Sequence, residues 1–338
     1  MKNLFDIHRV FIHNHFYYLR LFLPTLLLIP VMLCSCTEDK SEAITFAGLS
    51  VPEIAKTSGV GYVDVFVYND DVLKRIDAYQ RIPCGPGETV PVFSQHGNKI
   101  YFLYRNPQSS DYSWNNINSL SALEDNTVNL ESECPGNFSA TAMCRLEAGG
   151  KGSAVCMPFV CEVCLRSLAF DFRGRAYAGC KISKLKVYLI NVSAECPLRA
   201  GDTYMPTRII NTGRLIDDDM DKFNEAGLVL RKLDDMDDGA RIFPDVKLYC
   251  YANGSSEESP GSSFTRLVIE AEIQGEKYYW PINVGGENGM KRVARYVYDV
   301  KINRKGTADP DVVAETGNVE FVCEIEKWKE KGEYVVGF

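Results

Sequence analysis

Apolar and polar residues alternate along most of the chain with a period of two. In residues 62–68, for example, Val63, Val65 and Val67 alternate with polar or aromatic neighbours. This spacing is typical of a β-strand that buries one face. The Asn-Asp-Asp sequence at 69–71 favours a turn, and residues 73–82 resume the pattern, so we predict a β-hairpin.

The same pattern continues through the rest of the chain. The tripeptide Gln274-Gly275-Glu276 predicts a tight turn between two of the later strands. Further predicted strands lie at residues 43–51, 99–105, 160–172, 184–192, 246–252, 265–273, 277–284, 296–303 and 319–325.

Helical patterns are scarce. Ser113 is placed to cap a short helix that carries Ile117, Leu120 and Leu123 on one face, and residues 220–233 form a weaker helical pattern. Many short strands with polar turns and few helices indicate an all-β fold built of β-sandwiches.

A glycine-rich stretch, Gly-Gly-Lys-Gly-Ser at 149–153, divides the chain. It lacks the Gly-Lys-Ser/Thr ending and the strand-loop-helix context of a phosphate-binding loop, so we interpret it as a domain boundary. The predicted organisation is a signal peptide at 1–35, an N-terminal β-sandwich domain at 36–155 and a C-terminal β-sandwich domain at 156–338.

The N-terminus carries the pattern of an export signal. Three basic residues and one acidic residue precede an apolar stretch at 21–33, which is interrupted by Pro24 and Pro30. A stretch this short is typical of a secretory signal, because a membrane-spanning helix needs about 20 apolar residues.

The sequence Leu33-Cys34-Ser35-Cys36 ends this stretch and fits a bacterial lipobox. We predict cleavage between Ser35 and Cys36, with a diacylglycerol on the Cys36 sulfur and a fatty acid on its freed amine. Two or three acyl chains anchor a protein almost irreversibly. The alternatives are an ordinary secretion signal, or acylation of Cys34, which would put Leu33 where a small residue is required.

Composition narrows the function classes. The chain of 338 residues has a net charge of −8, and loss of three basic residues and one acidic residue with the signal makes this −10. We therefore expect no nucleic-acid partner. His96 is the only histidine after residue 35, and its turn-like surroundings favour a surface position over catalysis.

Ten cysteines remain besides Cys34 and Cys36, and an exported chain can oxidise them, although the pairing cannot be read from sequence. Cys161 and Cys164 form an isolated Cys-x-x-Cys pair in a predicted strand. Residues three apart in a strand point to opposite faces, so a structural role is favoured over metal or redox chemistry. The ten are Cys84, Cys134, Cys144, Cys156, Cys161, Cys164, Cys180, Cys196, Cys250 and Cys323.

Two acidic clusters have part of the ligand pattern of a calcium loop. In 217–221, Lys222 stands where a calcium loop has glycine, and in 234–239, Met236 stands where a ligand belongs. Solvated loops are the better interpretation of both. No pair of carboxylates has a spacing that singles it out for glycoside hydrolysis. We predict no metal, no cofactor and no enzymatic activity.

Several segments of the C-terminal half form an ordered series: 265–270, 278–282, 298–302, Gly306, Asp309-Pro310 and 322–328. In this order they resemble the C-terminal domain of Bacteroidales fimbrillins. The segment 64–81 looks like the first hairpin of the FimB-type fimbrial anchor subfamily, and Thr37-Glu38-Asp39 resembles a surface-export signal of Bacteroidetes lipoproteins. One departure is Ala294-Arg295, where the family often has Arg-Asn.

The resemblance implies two tandem transthyretin-like Greek-key β-sandwiches. It also implies partners: stalk subunits of the family are cut after an arginine behind the first strand and then joined by β-strand addition. This chain has Lys40 and Lys56, but no arginine between Cys36 and Tyr62; the next is Arg75. We therefore expect the lipid to stay, segment 43–51 to remain in its own groove, and segment 319–338 to meet the next subunit.

The predicted function is that of a lipid-anchored structural subunit of a fimbrium, or pilus, with a role in cell adhesion, held in the outer membrane at the cell surface. Tip and accessory subunits remain open at this point. The alternative from another class is a surface glycan-binding lipoprotein that uses exposed aromatics such as Tyr112, Trp114 or Trp280. A hydrolase is disfavoured by the single histidine.

Overall fold

The protein is described by a computed structural model. The structure describes residues 43–46, 61–84, 90–93, 98–106, 114–135, 138–146, 157–255, 263–286, 289–312 and 318–327. Residues 41–338 form one compact unit. The predicted domain boundary at 155/156 lies outside the described residues and stays a prediction.

The first part of the chain forms a five-stranded antiparallel sheet in the order β3-β2-β5-β7-β8. The predicted hairpin is confirmed, because β2 pairs with β3 from Gly61 opposite Cys84 to Tyr68 opposite Ile76. The strands here are β1 (Ala43–Phe46), β2 (Gly61–Asn69), β3 (Ile76–Cys84), β4 (Val90–Phe93), β5 (Lys99–Asn106), β6 (Thr127–Asn129), β7 (Ala140–Leu146) and β8 (Met157–Pro158).

The later part of the chain forms two five-stranded sheets and contributes to smaller ones. The strands are β9 (Val160–Phe170), β10 (Lys181–Ile190), β11 (Val192–Ser193), β12 (Glu195–Pro197), β13 (Ile209–Ile210), β14 (Leu230–Lys232), β15 (Met236–Asp237), β16 (Arg241–Ile242), β17 (Val246–Tyr251), β18 (Arg266–Ile273), β19 (Glu276–Asn283), β20 (Ala294–Ile302) and β21 (Val319–Lys327).

One of these sheets has the order β14-β10-β18-β19, with β15 also on β10, and the other has the order β16-β9-β20-β21, with β17 also on β9. β20 runs parallel to β9, while the other pairings are antiparallel. The predicted turn between β18 and β19 is confirmed: Gln274 and Gly275 have φ of 56° and 87°, as in a type I′ hairpin turn.

The apolar faces of the sheets meet in a shared core. Phe170 of β9 and Trp280 of β19 lie in different sheets, and their rings contact edge to face at 5.5 Å. Both side chains are completely or almost completely buried. The predicted all-β sandwich fold with few short helices is therefore confirmed.

Both helix predictions needed correction. The first helix, α1 (Leu120–Glu124), is capped by Ser119, which accepts a hydrogen bond from the backbone N–H of Ala122. Ser113, the predicted cap, lies outside the described residues. Leu120 and Leu123 bury the apolar face as expected.

The helix predicted at 220–233 is wrong. The short helix α2 (Asp217–Met220) ends where the prediction begins, and the chain continues through a 3-10 turn at Ala226–Leu228 into β14. The backbone of this segment is used by β10: Val229 O accepts from Leu189, and Leu233 N donates to Leu185 O. Sheet pairing overrides the local helical pattern here.

A buried carboxyl group joins the two parts of the fold. Glu133 follows a 3-10 turn at Leu130–Ser132 and is fully buried. Its Oε2 accepts from the backbone N–H of Ser139 at 2.7 Å, and its Oε1 accepts from the hydroxyl of Tyr251 on β17 at 2.8 Å. Burial raises the pKa of Glu133 to about 7.

The buried Glu133 makes stability depend on pH. Its pKa is higher in the folded protein than the usual 4.5, so the folded state binds the proton more tightly than the unfolded chain. The Glu133 contribution to the unfolding free energy is complete below pH 4.5 and is lost as the pH rises to 7, by roughly 3 kcal/mol in total.

Urea unfolding at pH 5 and pH 8 checks this expectation. Glu133→Gln keeps a hydrogen-bonding side chain of the same size but does not ionise, so the stability loss between the two pH values should be smaller in this variant than in the wild type. Equal pH dependence in the two proteins would contradict a perturbed Glu133.

Candidate strand-docking edge

The last described strand, β21, lies at the edge of its sheet. β20 pairs with one side of it over its whole length, from Val319 opposite Ile302 to Lys327 opposite Ala294. Within the described part of the chain, no strand pairs with the other side. A nine-residue strand therefore leaves a row of outward backbone N–H and C=O groups that can accept another strand.

The two faces of β21 differ in chemistry. Val319, Phe321, Cys323 and Ile325 point to one face, and this face is apolar. Phe321 and Ile325 are nevertheless 50% and 65% exposed. A strand with an apolar face that its own fold does not cover is suited to strand addition, in which alternate side chains of the partner fill pockets.

The apolar face of β21 lines a groove of about 490 Å³ between the two sheets. Tyr298 of β20 lies in this groove, with its ring centroid 6.0 Å from that of Phe321 and its hydroxyl 3.5 Å from the carbonyl oxygen of Asn283. The lining residues are Pro281, Ile282, Asn283, Gly285, Gly286, Tyr298, Val319, Phe321, Cys323 and Ile325.

The opposite wall of the groove, β19, has a protected edge. Tyr279 and Thr307 exchange backbone hydrogen bonds of 3.0 and 2.9 Å, so the loop after β20 covers this part of the strand. Trp280 holds the same loop by donating from its indole nitrogen to Arg304 O at 2.9 Å. Further along β19, Pro281 has no N–H to offer a partner. Of the two strands that border the groove, β21 therefore has the more accessible edge for pairing with an incoming strand.

The loop after β20 packs closely against β19 at Gly306. At Gly306 a Cβ atom would overlap with the carbonyl oxygen of Tyr279 and would lie 3.0 Å from the Trp280 ring. The loop is also tied down by the buried Arg266, which forms an ion pair with Asp311. The covered edge of β19 is thus a built feature of the fold.

Charged side chains occupy the other face of the β21 sheet. Arg166 of β9 contacts Asp299 at 2.5 Å and Glu324 at 3.0 Å, and so links three strands. Arg295 joins Glu162 at 2.6 Å and Glu326 at 3.4 Å in a second row. These rows brace β21 against β20 and leave its outer face acidic.

The charges around Arg166 shift the pKa values of the carboxyl groups in the same row. Hydrogen bonds from Arg166 lower the pKa of Asp299 and of Glu324. In the groove, by contrast, burial raises the pKa of the Cys323 thiol. Cys323 therefore stays protonated and apolar, in keeping with a groove that receives apolar side chains.

The predicted lipidation and cleavage residues, Cys36 and Ser35, lie outside the described residues, as do His96 and Tyr112. The first predicted strand is described only as β1, Ala43–Phe46, and it pairs antiparallel with β4 of the same chain. Arg75 directly precedes β3 and is exposed.

Two of the three aromatic residues suggested for glycan binding, Trp114 and Trp280, are engaged within the fold. Trp280 is completely buried, so its predicted exposure is wrong. Trp114 is half-buried, donates to Asp64 at 3.0 Å and packs edge to face on Phe66 and Tyr104. These two aromatic side chains serve the core of the fold, since aromatic side chains bury large apolar areas.

The two acidic clusters cap backbone groups. Asp219 accepts from the backbone N–H of Asn211, and Asp235 accepts from that of Lys184. Asp238 accepts from the backbone N–H groups of Phe172 and Gly179. Among the described residues, no group of three or more His, Cys, Asp and Glu side chains is arranged to hold a metal ion.

Cys161 and Cys164 point to opposite faces of β9, as their spacing predicts. The Cys161 thiol lies 2.9 Å from Lys291 O in the core, whereas the Cys164 thiol lies 3.7 Å from Asp245 and 3.9 Å from Arg295 on the other face. Arg295, at the departure from the fimbrillin pattern, is committed to its ion pair with Glu162.

Sequence reasoning placed the contact region in 319–338 but did not identify Tyr298, Pro281 or the open side of β21. Part of the signal is visible in the sequence: residues 319–326 alternate apolar side chains with a second set that contains three glutamates.

No helix among the described residues is long and apolar enough to cross a membrane.

Gly306→Ala should destabilise the fold, because the added methyl group overlaps with the backbone of β19 and must push the covering loop away. We expect a loss of about 2 kcal/mol or more in the free energy of unfolding, measured by urea titration. Gly201→Ala is the matched control, since its Cβ would find its nearest neighbour at 4.0 Å. Equal midpoints for the two variants would contradict the covered edge.

Comparison with known proteins places this geometry in a known fold. No family model matches the chain, and no curated protein matches it. A fimbrilin from Porphyromonas gingivalis is 12% identical with a TM-score of 0.59, and the match covers 86% of this chain and 98% of the fimbrilin.

Two further crystal structures agree. A "putative cell adhesion protein" from Parabacteroides distasonis is 13% identical with a TM-score of 0.58, covering 85% of this chain and 98% of that protein. One from Bacteroides eggerthii is 11% identical with a TM-score of 0.58, covering 85% and 95%. At the level of the fold, the resemblance to fimbrillins that the sequence predicts is confirmed: the chain has the fold of these fimbrial and adhesion proteins.

Proposed function

We propose that this protein is a lipid-anchored structural subunit of a cell-surface fimbrium, which it holds to the outer membrane. The lipid would be attached at Cys36 after cleavage behind Ser35, and other fimbrial subunits would be joined by β-strand addition. The fold shared with a fimbrilin supports a fimbrial role. The protein would act by subunit assembly and adhesion, not by catalysis.

The observation that carries the proposal is the open side of β21. No strand in the described part of the chain pairs with this side of the nine-residue strand, and the apolar face of β21 borders a groove between the two sheets. An incoming strand would gain backbone hydrogen bonds along β21 and would bury alternate apolar side chains beside Phe321 and Ile325. Backbone bonds supply affinity in this mode, while the pockets set the register.

The charge of β21 defines the partner strand more closely. Glu320, Glu324 and Glu326 lie on its outer face, and Glu320 and Glu324 are exposed. A strand paired with β21 places its own outward side chains beside these carboxylates, where like charges are unfavourable. We therefore propose a partner strand with apolar residues on the groove side and neutral or basic residues on the outer side.

Two further features support a subunit that stays anchored. β1 pairs with β4 of its own chain, so this early segment already has a partner within the fold. No arginine separates Cys36 from Tyr62, so the arginine cleavage that releases stalk subunits of the resembled family has no site there. The lipid would then remain joined to the folded domains, and the fibre would end at this subunit.

The position of the lipid is tested by Cys36→Ala. Without the acceptor sulfur the protein cannot be acylated, so we expect it to leave the membrane pellet almost completely, and fibres to be shed into the medium. Mass spectrometry of the wild-type N-terminus should find an acylated Cys36.

The control for this experiment is Cys34→Ala, which leaves the proposed acceptor in place and should keep the protein in the pellet. Cell-bound fibres of normal length in the Cys36→Ala strain would rule out the anchoring mechanism. A mature chain that begins after Lys56 or Arg75 would instead indicate a stalk or tip subunit.

The docking edge is tested by the double variant Phe321→Asp with Ile325→Asp. Both side chains are at least half exposed in the free subunit, so folding should change by only about 1 kcal/mol. An incoming strand would have to bury two new carboxylates, so we expect incorporation into cell-attached fibres to fall at least about tenfold, measured by immunogold counting.

The matched control changes two other exposed apolar residues to aspartate. Val72 and Leu73 are 98% and 61% exposed. They lie in the turn between β2 and β3, two strands of a different sheet from that of β21. This control should leave fibre number unchanged. If both double variants assemble normally, or if both fail equally, then β21 is not the docking edge.

A further inference from the structure

Three buried thiols come together in the core, away from the docking edge. Cys161 lies on β9, Cys250 on β17 and Cys196 on β12, and each is completely buried. Cys161 and Cys250 are direct register partners in the antiparallel pairing of β9 with β17. Cys196 lies close enough to influence the ionisation of Cys161.

The register of β9 and β17 suits a covalent bond. Directly opposed residues in an antiparallel pair have Cα atoms about 4.5 or 5.5 Å apart. Disulfides occur at Cα separations of about 4.4–6.8 Å, so both values lie inside the permitted range. Cys161 and Cys250 also lie on the same face of their sheet, and both belong to the same apolar core.

We propose that Cys161 and Cys250 form a cross-strand disulfide in the exported protein. The two thiols lose two protons and two electrons, and the disulfide of a thiol oxidase in the cell envelope accepts them and becomes a dithiol. The proposal rests on the export that is part of the proposed function, but the geometry of the pair does not depend on fibre assembly.

The burial of Cys161 and Cys250 determines when during folding the disulfide can form. In the folded core, burial and the neighbouring thiols raise the pKa of Cys161, so it is protonated and a poor nucleophile there. Oxidation must therefore occur while β9 and β17 first meet during folding, when the mixed disulfide on one cysteine is still accessible to the other. Once the sheet closes, the bond is shielded from reductants.

The disulfide would cross-link two strands of the sheet that has β21 at its edge. The bond closes a loop of roughly 90 residues, which removes much conformational freedom from the unfolded chain. It joins β9 and β17, two strands of this sheet. A subunit that transmits pulling force from fibre to membrane would thus have a core sheet that cannot separate at this pair.

Cys164 provides a control on the same strand. It lies three positions after Cys161, on the opposite face, and its register partner on β17 is Lys247. No cysteine faces it across this pairing, so it should remain a free thiol. Any non-specific oxidation of the protein would be expected to consume Cys164 as readily as the buried pair.

The test is peptide mapping of full-length protein under non-reducing conditions, after alkylation in denaturant. In one arm the protein is refolded with oxidised and reduced glutathione, which tests the geometry alone; in the other it is isolated from the cell envelope, which tests the compartment. Both arms should yield a linked peptide pair containing Cys161 and Cys250, 2 Da lighter than the two thiol peptides, with Cys164 alkylated.

A second measurement uses stability. The oxidised wild type should melt about 5 °C or more above Cys250→Ala under non-reducing conditions, and most of this difference should disappear when both are refolded with dithiothreitol. Alkylation of both Cys161 and Cys250 in the refolding arm, or linkage of Cys161 to Cys196, would overturn the proposal. A linked pair in the refolding arm with free thiols in the envelope arm would overturn the exported disulfide while leaving the docking edge untouched.

Discussion

The open side of β21, which no strand among the described residues covers, is the constraint on which the account depends. Every strand has two rows of hydrogen-bonding groups, and an edge strand satisfies only one of them within its own sheet. In β21 the open row is nine residues long and lies beside an apolar groove. Water can satisfy the polar groups but not the exposed side chains, so the pairing of another strand improves both at once.

Under the proposed function, the neighbouring elements would direct association to this edge. β19, the strand across the groove, is covered by the loop that Gly306 and Trp280 hold in place, and Pro281 removes a donor where the cover ends. β21 is itself fixed in register by β20 and by the ion pairs of Arg166 and Arg295. Of the two strands that border the groove, only β21 therefore keeps an uncovered edge within the described part of the chain.

Much of the fold could be predicted from the period-two pattern, because strands with one buried face reveal themselves by alternation. The hairpin of β2 and β3 and the strands β17 to β21 lie within a few residues of their predicted positions.

The features that the sequence did not predict correctly have a common cause. Segment 220–233 has helical spacing, yet its backbone completes the edge of the β10 sheet, and that pairing is non-local. The docking edge was equally hidden, because alternation in 319–325 predicts a strand but not which of its sides remains unpaired. Sheet order decides that, and it depends on contacts between distant segments.

Hydrogen–deuterium exchange on free subunits and on purified fimbriae tests the docking edge most directly. The outward amides of residues 319–327 should exchange rapidly in the free protein and become strongly protected in the fimbrium. The amides of β14, at the edge of the other sheet, should exchange alike in both states. Unchanged exchange in 319–327, together with new protection at β14 or another edge, would contradict the central claim.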